Sequence, residues 1–269
     1  MNRILLILVV LMTSCKKDIN DVPSYLSIEN IVLSSNNTEN ITDAWVYIDD
    51  NLQGVYELPA NFPVLAQGKH KLRVKAGIKD NGIAGTRIAY PFYTSYIIDD
   101  QDFNSTETMI VSPEVSYLTN TNFFIEDFES SGIKLEEALI SDTSIIELQD
   151  GYNKYGAGVL IDSLITFEVV TTEQLSDLPQ EGAPVYLELD YKCNTRFLVG
   201  VYVNFPSVVL QKDLLWINPK ESWNKIYVNL TSTVSESVGA DFFKVFIAMK
   251  RDFAIDTNTI YFDNLRVVY

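Results

Sequence analysis

Histidine occurs once in this chain of 269 residues and cysteine twice, and 20 Lys and Arg stand against 36 Asp and Glu. Each shortage excludes something. A net charge of −16 is repelled by nucleic acid phosphates and by anionic lipid, so nucleic acid is not an expected partner. The lone His70 has no second His or Cys near it for a metal site, and Cys193 has no imidazole to activate its thiol. Long apolar runs are missing too. The run Ile4 to Met12 falls far below the roughly 20 residues of a membrane-spanning helix. Helical periodicity is almost absent. No Walker loop, dinucleotide fingerprint, His-x-Glu zinc motif or Gly-x-Ser-x-Gly elbow is present. A glycosidase needs two carboxylates across a cleft, and nothing marks such a pair. The chain is therefore expected to be non-catalytic.

What is present begins at the N-terminus. Arg3 precedes the apolar run Ile4 to Met12, and small residues follow it, the arrangement of a secretory signal. Met12-Thr13-Ser14-Cys15 resembles the bacterial lipobox, with Met12 where leucine is usual. That resemblance implies a signal peptide over 1–14 and a lipidated Cys15 opening a polar tether over 15–23. Lys16-Lys17-Asp18 resembles the charged export tags of surface lipoproteins in some Gram-negative bacteria. The implied location is the outer membrane, held by a lipid anchor at the cell surface. With Cys15 acylated, Cys193 has no disulfide partner. It alternates with Leu187, Leu189 and Tyr191, as a core residue does.

Alternating apolar runs separated by turn residues predict an all-β chain of two tandem β-sandwiches. The first spans 24–113. Its segment "AWVYIDDNLQGVYELPANFPVLAQGKHKLRVKAGI" is similar to PEGA-type small surface sandwiches, with Asp50-Asn51 where those have Asp-Gly. The resemblance implies docking or spacer duty. His70 reads as a strand residue beside Leu72. A polar linker follows at 114–121. The second block, 122–269, resembles galactose-binding-like jelly rolls, the fold of many carbohydrate-binding modules. The resemblance rests on Phe128-Glu129, on Trp223 to Leu230 and on Ile260 to Val267. Thr171 to Pro184 reads as a polar loop with one helical turn over 173–178.

Sugar binding needs ring faces and a few hydrogen-bonding groups. Alternation turns Val199, Val201, Val203, Val245, Ile247 and Met249 inward, and leaves Tyr186, Glu188, Tyr202, Asn204 and Phe246 outward as one platform. Trp216 joins them as a glycan-binding candidate, and Trp223 is expected in the core. The jelly-roll resemblance further implies a structural calcium near the termini, with Glu126, Glu129 and Asp263 as its oxygen ligands. No other cofactor is expected. Two roles follow. The first is a polysaccharide-binding module. The second is an accessory subunit docked on an outer-membrane β-barrel protein, either an importer or a secretion translocon.

Overall fold

The computed structural model describes residues 22–34 and 38–269, so Cys15 and the segment 1–14 lie outside the described residues. No helix among those described is long and apolar enough to cross a membrane. The fold is almost entirely antiparallel sheet, and it forms two β-sandwiches with a core each.

The first sandwich comprises β1 (Ser24–Ile28), β2 (Val32–Leu33), β3 (Asp43–Ile48), β4 (Asn51–Glu57), β5 (Ala60–Val64), β6 (Gly68–Lys79), β7 (Arg87–Ala89), β8 (Ser95–Phe103), β9 (Thr108–Val111) and β10 (Glu114–Val115). One sheet runs β4-β3-β6-β7 with β8 also on β6, and smaller sheets β5-β1-β9 and β10-β2 cover it. Alternation decides what faces inward: Ala44, Val46 and Ile48 of β3 meet Leu72, Val74 and Ala76 of β6 in register and are buried. Asp49 and Asp50 carry the β3–β4 turn, both at positive φ, a geometry that short hairpins require and that Asp tolerates.

The second sandwich comprises β11 (Phe123–Glu126), β12 (Leu135–Glu137), β13 (Ile146–Asp150), β14 (Asn153–Leu160), β15 (Thr166–Thr171), β16 (Tyr186–Cys193), β17 (Phe197–Phe205), β18 (Val208–Ile217), β19 (Lys220–Asn229), the short helix α1 (Thr231–Glu236), β20 (Phe242–Lys250) and β21 (Asn258–Val268). One sheet runs β13-β14-β21-β16-β19 with β11 on β21. The other runs β12-β15-β20-β17-β18. Leu187, Leu189, Tyr191 and Cys193 of the first meet Val199, Val201, Val203, Val245, Ile247 and Met249 of the second in one core. The helical turn predicted over 173–178 does not form. α1 lies elsewhere, and the side-chain oxygen of Asn229 accepts the Thr231 N–H at its start.

The two sandwiches are joined through a polar and aromatic seam, which corrects two expectations. Residues 114–121 are not a free linker: β10 pairs with β2, and Val115 is buried in the first core. Nor do Tyr186 and Glu188 face solvent. The outer face of β16 carries the first sandwich, so Tyr186, Tyr227 and Val268 complete that sandwich's core. Tyr186 packs edge-on against Tyr90 at 5.4 Å. Glu188 is fully buried. It accepts hydrogen bonds from Tyr90 (2.7 Å) and Tyr117 (2.8 Å), and the Lys225 ammonium lies 2.9 Å from it. Tyr186 donates to Asp80, and the Asn81 N–H donates to the Tyr227 carbonyl. A charge placed in a dry seam is tolerable only with such partners.

Candidate functional site

A groove of about 500 Å³ runs over the outer face of the sheet β12-β15-β20-β17-β18, and none of its lining residues comes from the first sandwich. Strand register lays out its floor. Val170 of β15, Phe246 of β20 and Gly200 of β17 lie side by side, with Glu136 of β12 beyond Val170. In the next row Lys244 pairs with Tyr202, and Tyr202 with Gln211. Gly200 matters because the Phe246 ring lies across it. A Cβ there would collide with that ring and approach the Lys212 carbonyl to 2.5 Å.

Tyr202 stands above this floor, its ring 4.9 Å from that of Phe246. Its hydroxyl donates to the carboxylate of Glu168, which is itself buried. Burial raises the pKa of Glu168. The Tyr202 bond and the Lys250 charge oppose that rise, and Asp213 adds to it. Burial, then the Glu168 bond, hold the Tyr202 hydroxyl well above its usual pKa, so it stays a donor. The ring is thereby fixed at both ends, by Phe246 under its face and by Glu168 at its tip. Asn204 and Lys244 line the groove, with Glu136, Glu137, Leu139, Ile140 and Val209. The Lys244 ammonium lies 2.7 Å from Glu136. A fixed aromatic ring, an amide, and both a cation and carboxylates in a shallow groove suit a polyhydroxylated chain. Rings take the apolar faces of sugars, and the polar groups take the hydroxyls.

The six glycan candidates therefore separate. Tyr202, Asn204, Phe246 and Trp216 share the outer face of one sheet, whereas Tyr186 and Glu188 belong to the opposite sheet and to the seam. Phe246 is outward but 0% exposed, so it is the base under Tyr202 and no contact surface of its own. Trp216 is 43% exposed and pairs with Leu198 at the far end of the face. Trp223 is no core residue. It is equally exposed, edge-on to Tyr155 at 5.4 Å. Lys244 in the groove and Glu168 buried beneath Tyr202 are site residues that sequence reasoning did not single out. The alternation of "TFEVVT" carried the signal for Glu168, since Phe167 and Val169 are the inward pair.

The residues named for calcium are each engaged by protein donors. Glu126 is buried, and its two oxygens accept the N–H groups of Phe128 and Lys134. Glu129 accepts the Lys154 N–H at 2.8 Å. Asp263 accepts from the Asn153 amide and the Asn264 N–H. Among the described residues no group of three His, Cys, Asp or Glu is placed to hold a metal ion. Glu126 and Glu129 thereby fix backbone N–H groups, and Asp263 ties the Asn153 side chain to the middle of β21. His70 is also engaged locally, with Nδ1 2.6 Å from Asp49.

No protein-family model and no curated protein matches the chain. Similar solved structures include a family 29 carbohydrate-binding module mutant complexed with mannohexaose. It shows 10% identity and a TM-score of 0.37, over 56% of this chain and 93% of that one. A family 11 module from Clostridium thermocellum in complex with a β-1,3-1,4-mixed-linked tetrasaccharide shows 11% identity and a TM-score of 0.35, over 56% and 89%. A family 29 module from Piromyces equi shows 9% identity and a TM-score of 0.35, over 56% and 91%. At such scores no ligand transfers from those modules to this chain, and the reading of function rests on the groove.

Proposed function

We propose that the chain is a non-catalytic polysaccharide-binding protein, lipid-anchored through Cys15 to the outer membrane at the cell surface, with the polysaccharide lying along the outer face of the five-stranded sheet. The observation that carries this reading is Tyr202, clamped between Phe246 and buried Glu168 with Asn204 and Lys244 beside it. A pre-set ring binds without an ordering cost, which suits a weak, repetitive ligand. The test is retention of the full chain, in mild detergent, in native gels cast with a panel of polysaccharides. Replacing Tyr202 with Ala removes the central contact, worth about 2 kcal/mol or roughly thirtyfold in affinity. Unchanged retention would refute the assignment.

A second reading draws on one observation. Val208, Val209 and Leu210 on edge strand β18 are exposed, as are Leu139 and Ile140 across the groove. A β-barrel partner would cover such aliphatics. It predicts recovery of that partner in equal amount from gently extracted membranes, lost when Val209 and Leu139 are both replaced by Asp.

A further inference from the structure

At the end of the same sheet face lies a second cavity, of about 810 Å³. Its walls come from the β16–β17 turn, the end of β18 and the loop after β20. Arg196, Trp216, Lys250, Arg251, Asp252 and Phe253 line it. Three cations meet one carboxylate here, in a chain of net charge −16. Among the described residues none of Arg196, Lys250 and Arg251 forms an ion pair, whereas Lys71, Arg73, Arg87, Lys154, Lys225 and Lys244 all do. The Arg196 guanidinium lies over the Trp216 ring at 5.0 Å, and that of Arg251 over Phe253 at 5.6 Å. Stacking orients a guanidinium while leaving its N–H edge free for the oxygens of an anion. Arg251 gives one N–H to the Asp162 carbonyl, and its Nε is buried without a hydrogen-bond partner.

The pocket and the groove lie on the same sheet face. Trp216, Leu198, Ala248 and Glu168 form one row across the sheet. Tyr202 is four residues further along β17, roughly 13 Å at 3.3 Å per residue. We propose that this pocket binds the acidic substituents, carboxylate or sulfate, of an acidic polysaccharide whose chain continues over Tyr202. The proposal rests on the sheet-face reading above and names its ligand class. Charge elsewhere on the molecule does not forbid it. At physiological salt, fields are screened beyond about 8 Å, so the unpaired cations govern what the pocket sees.

The experiment compares the full chain in native gels cast with polygalacturonate, dextran sulfate or neutral dextran. The double variant Arg196→Gln, Lys250→Gln replaces two exposed cations, and an unchanged melting temperature verifies its fold. Losing a hydrogen bond to a charged group is worth roughly ten- to a hundredfold in affinity. Retention by polygalacturonate or dextran sulfate should therefore fall by at least about tenfold, while any retention by dextran stays unchanged. Arg196→Lys, Lys250→Arg, which keeps both charges, should restore much of it. Preference for one acidic probe tells whether carboxylate or sulfate is read. Acidic and neutral gels retaining the wild-type and the double variant alike would overturn the proposal and leave the sheet-face reading standing. Retention insensitive to Tyr202→Ala would instead overturn the sheet-face reading. Binding to anionic phospholipid vesicles, lost in the double variant while both acidic polysaccharides are ignored, would overturn the proposal in favour of a membrane contact.

Discussion

Gly200 determines the height of the groove floor, because only a residue without Cβ lets the Phe246 ring lie flat against β17. Gly200→Ala should destabilise the protein by about 1–3 kcal/mol, the usual cost of overpacking, read from the midpoint of urea unfolding. Asp263 offers a pH-dependent counterpart. Burial, with the nearby charges of Asp190 and Asp127, holds its carboxyl up at about 6, against the pull of its bonds from Asn153 and Asn264. An unfolded aspartate titrates near 3.9. Between about pH 4 and 6 the folded state thus holds a proton that the unfolded state has released, and this contribution to stability is lost as pH rises through that window. Asp263→Asn cannot ionise and should escape the loss. The melting temperature of the variant minus that of the wild type should climb from pH 4 to pH 7. A difference independent of pH would show that Asp263 is not held in this way.

At the scale of single elements, β20 shows what alternation reveals and what it hides. Its period-two pattern correctly sorted Val245, Ile247 and Met249 from Phe246. It did not show that Tyr202 of the neighbouring strand would cover Phe246, because cover comes from a partner chosen by the sheet and not by the strand. Phe246→Ala should cost about 3–5 kcal/mol, as for other buried rings, and should also loosen Tyr202 and reduce polysaccharide retention. The grouping of candidates failed at β16 and β17 for a related reason. The short turn between them crosses from one sheet to the other, so residues adjacent in sequence face opposite ways from the same core. Tyr186 and Glu188 thus left the platform that Tyr202, Asn204 and Trp216 share. The polar composition of 173–178 allowed a helical turn, but nothing in it demanded one. Leu175 instead bridges Phe243 and is buried.

At the scale of the whole molecule, the second sandwich finishes the core of the first, so the two are expected to unfold together. Sequence patterns recognised two sandwiches and missed the seam, whose members Tyr90, Tyr117, Glu188 and Lys225 come from distant segments with no common periodicity. Lys225→Met removes the ammonium beside the buried Glu188 carboxylate and should cost about 3–5 kcal/mol, the cost of breaking a buried pair from one side. Calorimetry of the wild type should give a single transition with equal calorimetric and van't Hoff enthalpies. Two separate transitions would show that the sandwiches are independent. The seam also sets the orientation of the groove on β12-β15-β20-β17-β18 relative to the first sandwich.

Backbone hydrogen exchange of the full chain, alone and with the polysaccharide that retains it best, tests the central claim most directly. Polysaccharide in the groove should slow exchange in Ala138–Ile140, along β18 and at the groove end of β17, with β3 and β6 of the first sandwich unchanged. Protection confined to the first sandwich, or a panel in which no polysaccharide retains the chain, would contradict it.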